Sequence, residues 1–206
     1  MGRARDLANI LSSSGNVALD SELGLSLITP TSITATGGSG TISTTGAVSF
    51  TSASAISLNG VFSSNYENYK VLLRVTSISA DQAIYIKMRA SGTDNSVGYY
   101  YSGYGVSGTN TVYTNGASNQ TTGHFIGNTD GLTNSSYYGW DMHFFDPFAA
   151  KPTPLIAHYI GTTTAGFIYG MTTTAWHDVS TSYDSINIIA NTGNFTGSIS
   201  VYGYRK

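Results

Sequence analysis

The chain contains no cysteine, which excludes disulfide staples, thiolate metal sites and a cysteine nucleophile. Charge is nearly as scarce: 10% of residues are Asp, Glu, Lys or Arg and the formal net charge is -2, against about 25% charged residues in average soluble domains. Solubility therefore rests on Ser, Thr, Asn and Gly, and without a basic excess nucleic-acid binding is not expected. No apolar run is long enough to cross a bilayer as a helix, and Met1 to Asp6 lacks the apolar core of a signal peptide. The sequence thus predicts no membrane insertion and no general secretory export. Proline is rare, at 4 residues, whereas there are 24 glycines and 15 tyrosines. That balance suits short strands rich in β-branched and aromatic residues, joined by Gly and Asn turns.

The clearest pattern runs from Tyr66 to Asn95. Tyr69, Val71, Leu73 and Val75 fall on one face of an extended segment, with Lys70, Arg74 and Thr76 on the other. The alternation returns with Ile84, Ile86, Met88 and Ala90 inward and Tyr85, Lys87 and Arg89 outward. This reads as a hairpin whose basic residues share an outer face, and it needs a second sheet to cover its apolar side. Further strands are predicted at His124 to Gly127, Tyr138 to Phe144, Leu155 to Ile160, Gly166 to Thr173, Ser185 to Ala190 and Ser198 to Tyr204. Asn115-Gly116 is the favoured pair for a two-residue hairpin turn. The expected fold is an all-β, antiparallel, jelly-roll-like β-sandwich of about eight strands.

Three regions are expected. Residues 1-29 form an attachment segment, with Ala4, Leu7, Ala8 and Leu11 at the spacing of a short helix. Residues 30-60 form a Gly/Ser/Thr-rich shaft or linker, and residues 61-206 the sandwich. From Thr31 to Tyr66 there is no charged residue at all. The single apolar residues Ile33, Ile42, Val48, Phe50, Ile56 and Leu58 cannot be buried within one extended chain, which leads to the expectation of a homotrimer wrapped about an axis.

Signals for chemistry are thin. Gly103-Tyr104-Gly105-Val106-Ser107-Gly108 matches the dinucleotide-binding glycine pattern, but no helix follows it, so it reads as a loop. His124, His143, His158 and His177 are scattered without metal-ligand spacing. Asp130, Asp141, Asp146, Asp178 and Asp184 show no spacing that favours an acid–base pair. No catalytic residue, metal or cofactor is expected. The candidate binding residues are Tyr99, Tyr100, Tyr101, Tyr104 and Tyr113, because aromatic rings stack on sugar faces while neighbouring Asn and Thr bond hydroxyls.

Several short motifs occur together: Phe62 with Tyr66-Glu67-Asn68-Tyr69-Lys70-Val71, Met88-Arg89-Ala90-Ser91-Gly92-Thr93-Asp94-Asn95, Phe145-Asp146-Pro147-Phe148, and the closing Gly197 to Lys206. With Arg3 to Asn9 at the start, they resemble fibre proteins of tailed bacteriophages. The resemblance implies a non-enzymatic virion structural protein, assembled in the cytoplasm of a host bacterium. It would be a short tail fibre or, alternatively, a capsid-decorating head fibre or cement protein. It further implies a homotrimer held to other virion proteins, a tail adaptor or the capsid, through an attachment segment bearing Arg3, Arg5, Leu7 and Leu11, with host surface polysaccharide as a further partner. A glycan-degrading enzyme is the remaining alternative.

Overall fold

The computed structural model describes residues 24-129, 138-162 and 167-204. In chain order the strands are β1 (Leu25–Ile28), β2 (Ser32–Thr36), β3 (Ser39–Ile42), β4 (Val48–Ala53), β5 (Ala55–Asn59), β6 (Asn68–Ile78), β7 (Gln82–Ala90) and β8 (Thr93–Asp94). There follow β9 (Tyr99–Ser107), β10 (Val112–Gln120), β11 (His124–Thr129), β12 (Tyr138–Phe145), β13 (Thr153–Thr162), β14 (Ile168–His177), β15 (Ser185–Ala190) and β16 (Phe195–Tyr204). All pairings are antiparallel. One sheet runs β10-β9-β14-β13-β12-β6-β16-β4-β3, with β1 beside β16; the other runs β11-β7-β15-β5-β2, with β8 beside β7. The sandwich follows from alternation: along β6, Tyr69, Val71, Leu73 and Val75 are buried, as are Ile84, Ile86 and Met88 along β7. Each such side chain contributes roughly 1.5–3 kcal/mol by leaving water.

The strands at 69-75 and 84-90 do not pair with one another. β6 lies between β12 and β16 in the large sheet, while β7 lies between β11 and β15 in the small one. The connection at 79-81 therefore crosses from one sheet to the other. Lys70 and Arg74 consequently face outward from one side of the molecule and Lys87 and Arg89 from the opposite side, which removes the expected basic patch.

The shaft or linker expected over 30-60 is instead β2 to β5, divided between the two sheets. Val48, Phe50, Ile56 and Leu58 are at most 2% exposed, and Ile33 and Ile42 pack against the same core. One chain covers them all, so these residues do not require other copies for their burial. The described residues contain sixteen strands where about eight were expected; this segment supplies four of the additional ones, and β1, β8, β9 and β10 the other four. The predicted helix near residues 3-11, and with it Arg3, Arg5, Leu7 and Leu11, lies outside the described residues.

Two turns have clear local causes. Ser91 and Gly92 both have positive φ, 50° and 79°, the pattern of a type I′ turn joining β7 to β8. Arg89 ties that turn together by pairing with Asp94 and donating to the Gly92 carbonyl. The β9–β10 turn is at residues 108-110, where Asn110 has φ 60° and its N–H donates to the Ser107 carbonyl at 2.9 Å. Asn115 and Gly116, expected to make the turn, lie in mid-strand in β10.

Gly161 on β13 shows how tightly the interior is filled. A Cβ at this position would overlap the Tyr138 ring and the Tyr159 hydroxyl, two buried tyrosines stacked with centroids 6.0 Å apart. Gly161→Ala is expected to lower stability by about 1–3 kcal/mol through overpacking. A urea titration checks this: the midpoint should fall while the slope stays unchanged.

Candidate functional site

Alternation along β9 places Tyr99, Tyr101, Gly103, Gly105 and Ser107 toward the core, and Tyr100, Ser102, Tyr104 and Val106 on the outer face of the large sheet. The flanking strands extend this face in register. Tyr104 is opposite Thr114 of β10 and Thr172 of β14, Ser102 is opposite Gly116 and Thr174, and Tyr100 is opposite Trp176. The glycines at 103 and 105 let β9 lie close on the core, because a Cβ would press on Met171 and Thr173 at one and on the Gly170 carbonyl at the other. The stretch Gly103 to Gly108 is thus strand where a loop was expected, and its glycines have a packing cause.

The outer face carries an open groove of about 450 Å³ bordered by Ser102, Tyr104, Thr114, Asn115, Gly116, Thr172 and Thr174. It continues past Ser102 and Thr174 into a second depression of about 340 Å³ beside Tyr100, Ser118 and Trp176. Gly116 contributes no side chain, which keeps the floor low. Tyr104 is 64% exposed and Trp176 44%, so two large rings present themselves to solvent along one track. Hydroxyls and amides lie between them, and neither lining includes a carboxylate, an amine or a guanidinium. Thr174 donates to the Ser102 carbonyl at 3.2 Å, and the Thr172 hydroxyl is 3.2 Å from Nδ1 of His158, which fixes both side chains.

Of the five tyrosines singled out from sequence, Tyr100 and Tyr104 border this track and three belong elsewhere. Tyr99 is fully buried and stacks on His177 at 4.4 Å. Tyr101 packs inward against Phe125 at 5.9 Å, although its edge reaches the second depression. Tyr113 points from the inner side of β10 to meet Tyr169 edge-on at 5.2 Å. Sequence reasoning missed Trp176, Thr172 and Thr174. The signal was present, since Thr172, Thr174 and Trp176 alternate with Met171, Thr173 and Ala175, but the strand expected at Gly166 to Thr173 stops short of Thr174 and Trp176, which β14 includes.

Two histidines form part of the core. His124 and His177 are at most 1% exposed, and the Tyr99 ring contacts both. The Tyr183 hydroxyl and His177 Nε2 are 2.6 Å apart, and Asn95 donates to that hydroxyl at 3.0 Å. Burial pushes the His124 imidazole down to about 3, with the neighbouring His177 adding to the effect and the Tyr100 backbone opposing it. Burial likewise lowers His177 to about 4, against the Gly98 carbonyl and Asp178, which favour its charged form. Burial also raises Tyr99 and Tyr183 above the ordinary tyrosine value. The set is a neutral wedge between the sheets, in which Tyr99, His177 and Tyr183 are hydrogen-bonded and His124 is held by ring contacts.

Three of the acidic residues weighed from the sequence are engaged locally. Asp141 pairs with Lys70 at 2.7 Å and with His143 at 3.1 Å, and Tyr204 completes this outer-face network through His143 at 3.2 Å. Asp146 pairs with Lys151. Asp184 accepts from Ser185 at 2.6 Å and from the Ser91 N–H at 3.2 Å. Asp130 lies outside the described residues. Exposed pairs of this kind are worth about 0–1 kcal/mol each, and they organise the surface more than they stabilise it.

No protein-family model matches the chain, and no curated protein matches it. Among solved structures, it is similar to domain 4 of AbnA, a GH43 extracellular arabinanase from Geobacillus stearothermophilus, in complex with arabinotriose. The identity is 12%, the TM-score 0.32, and the likeness covers 84% of this chain and 82% of that one. These findings correct the expectation of a bacteriophage virion structural protein, whether tail fibre, head fibre or cement protein. No phage fibre family is matched by the chain. A likeness at this level carries no argument about what this chain does.

Proposed function

We propose that the protein is a carbohydrate-binding domain whose outer β10-β9-β14 face takes an uncharged, extended oligosaccharide. The observation that carries this reading is the track itself: Tyr104 and Trp176 exposed, Tyr100 beside Trp176, and hydroxyl- and amide-bearing side chains between them. Rings offer flat apolar faces to the C–H side of a sugar, and the intervening Ser, Thr and Asn side chains offer donors and acceptors to its hydroxyls. Tyr100 and Tyr104 are four residues apart on one strand, roughly 13 Å, a span that suits several linked sugars better than one. The absence of ionisable Asp, Glu, Lys and Arg from the lining favours neutral over anionic chains, because a charged group would gain no partner on leaving water.

Trp176 supplies its own reporter. The other tryptophan, Trp140, is 2% exposed, so a change in intrinsic fluorescence on adding saccharide belongs to Trp176. Titration with linear arabinan, xylan and mixed-linkage glucan should produce a saturable change with at least one of them, and polygalacturonate should produce none. Trp176→Ala and Tyr104→Ala should each weaken binding about tenfold, near 1.4 kcal/mol, measured by calorimetry, while Tyr113→Ala leaves it unchanged. A folded protein that binds none of the neutral polymers overturns the reading.

A further inference from the structure

The large sheet ends at β10, and this edge differs from the others. β1, β2 and β3 have four, five and four residues, and β11 is bulged between Phe125 and Gly127. Short strands and bulges are the usual means of keeping an edge from pairing. β10 has nine residues; its register along β9 shifts between Ala117 and Gln120, but the six residues before that, Val112 to Ala117, run unbroken. The strand contains no charged residue and no proline, so none of the side chains that normally deter pairing is present. It is also exposed on both faces, because the small sheet stops at β11 and does not extend beneath it. Val112 is 65% exposed and Tyr113 45%. Among the described residues no strand pairs with its free edge and both faces are exposed, and such a strand is a template for another.

We propose that two copies of the chain join edge to edge through β10, pairing antiparallel about a two-fold axis perpendicular to the sheet. A second copy is the occupant that the strand itself specifies. Self-pairing places each residue opposite another from the same uncharged stretch, so no like charges meet, and a closed two-fold leaves no further β10 edge to propagate. Such an axis keeps both outer faces on the same side. Thr114 and Gly116 of each copy then form one continuous floor, walled by Tyr104 of one copy and the equivalent tyrosine of the other. This inference rests on the edge and not on the glycan reading, and it fails or stands separately.

The absence of cysteine makes the test direct. Single-cysteine variants Tyr113→Cys, Thr114→Cys and Asn115→Cys of the full chain each carry one thiol, near the centre of the pairing stretch. At least one should oxidise to a covalent dimer in high yield, because directly opposed residues bring Cβ atoms within disulfide range. Ser43→Cys, on the β3–β4 turn, should remain monomeric. Light scattering on the unmodified protein should give twice the monomer mass at roughly 100 µM, and the Val112→Lys/Asn115→Lys double variant should return it to the monomer with unchanged circular dichroism. Amide exchange across residues 112-117 should slow as concentration rises. A monomer at that concentration, with no cross-linking and concentration-independent exchange, means that the edge is covered from within the chain or left bare, and it overturns the proposal. Open-ended polymers overturn it as well, since they require an edge other than β10.

Discussion

Shifting the protein from pH 7 to pH 4 is expected to remove on the order of 6 kcal/mol of folding stability, through His124 and His177. In the unfolded chain both imidazoles take up a proton near the ordinary value of 6.5, whereas in the folded protein they resist until about 3 and about 4. Between those limits the unfolded state binds more protons, so each unit of acidification favours unfolding. The stabilising effect of the neutral rings is complete above pH 6.5 and is lost progressively as pH falls toward the folded values. A domain is commonly stable by only about 5–15 kcal/mol, so a loss of this size brings the midpoint of acid unfolding into reach. Urea titrations at pH 7, 5.5 and 4 measure it directly. His124→Phe retains a flat ring against Tyr99 and should flatten the pH dependence by roughly half. If the variant keeps the full slope, His124 is not the group responsible.

Trp140→Ala is expected to cost about 3–5 kcal/mol, at the upper end for single substitutions. Trp140 lies on β12 of the large sheet, and its indole N–H donates at 2.9 Å to the Ile126 carbonyl of β11 in the small sheet. Its ring also packs on Tyr159 at 4.9 Å. Removing it opens a cavity and leaves a buried carbonyl without its donor. Trp140→Phe separates the two effects: most of the ring volume survives, so its cost should be near the ~1–3 kcal/mol of an unsatisfied buried acceptor. Thermal unfolding of the two variants beside the parent checks the order. An Ala variant no worse than the Phe variant would show that the hydrogen bond, and not the packing, dominates at this position.

What the residues disclosed about the fold was strand identity and facing. The period-2 alternation of Tyr69 to Val75, Ile84 to Met88 and Tyr138 to Phe144 depends only on burial of one face, so it survives any arrangement of partners. Pairing did not show, because Val71 opposite Met142 and Val71 opposite an Ile are equally good apolar neighbours, and nothing local says that the chain crosses between sheets at 79-81. The segment 30-60 misled for a related reason. Its apolar residues are sparse because each strand presents only one or two of them, and sparse apolar residues in a Ser/Thr/Gly background look the same in a linker.

The site was half legible. Tyr100 and Tyr104 could be picked from a tyrosine-rich stretch, but Tyr99 and Tyr101 in the same stretch face the core, and only the register of β9 separates them. Trp176 lies far along the chain and reaches Tyr100 through the β9–β14 pairing, a long-range relation that composition does not encode. The buried histidines were hidden for the opposite reason. Each looked like an isolated polar residue, and it is the convergence of β9, β11 and β14 that makes them neighbours.

The position of β16 imposes an order on how the molecule is made. This last strand is bordered by β6 on one side and by β4 and β1 on the other, so it is the seam between the early strands and the rest of the large sheet. While the chain is still being synthesised, β1, β4 and β6 have no partner in that seam, and their apolar faces must wait for residues 195-204 to emerge. The large sheet therefore closes through contacts of long sequence separation, which is the kind of pairing that forms slowly.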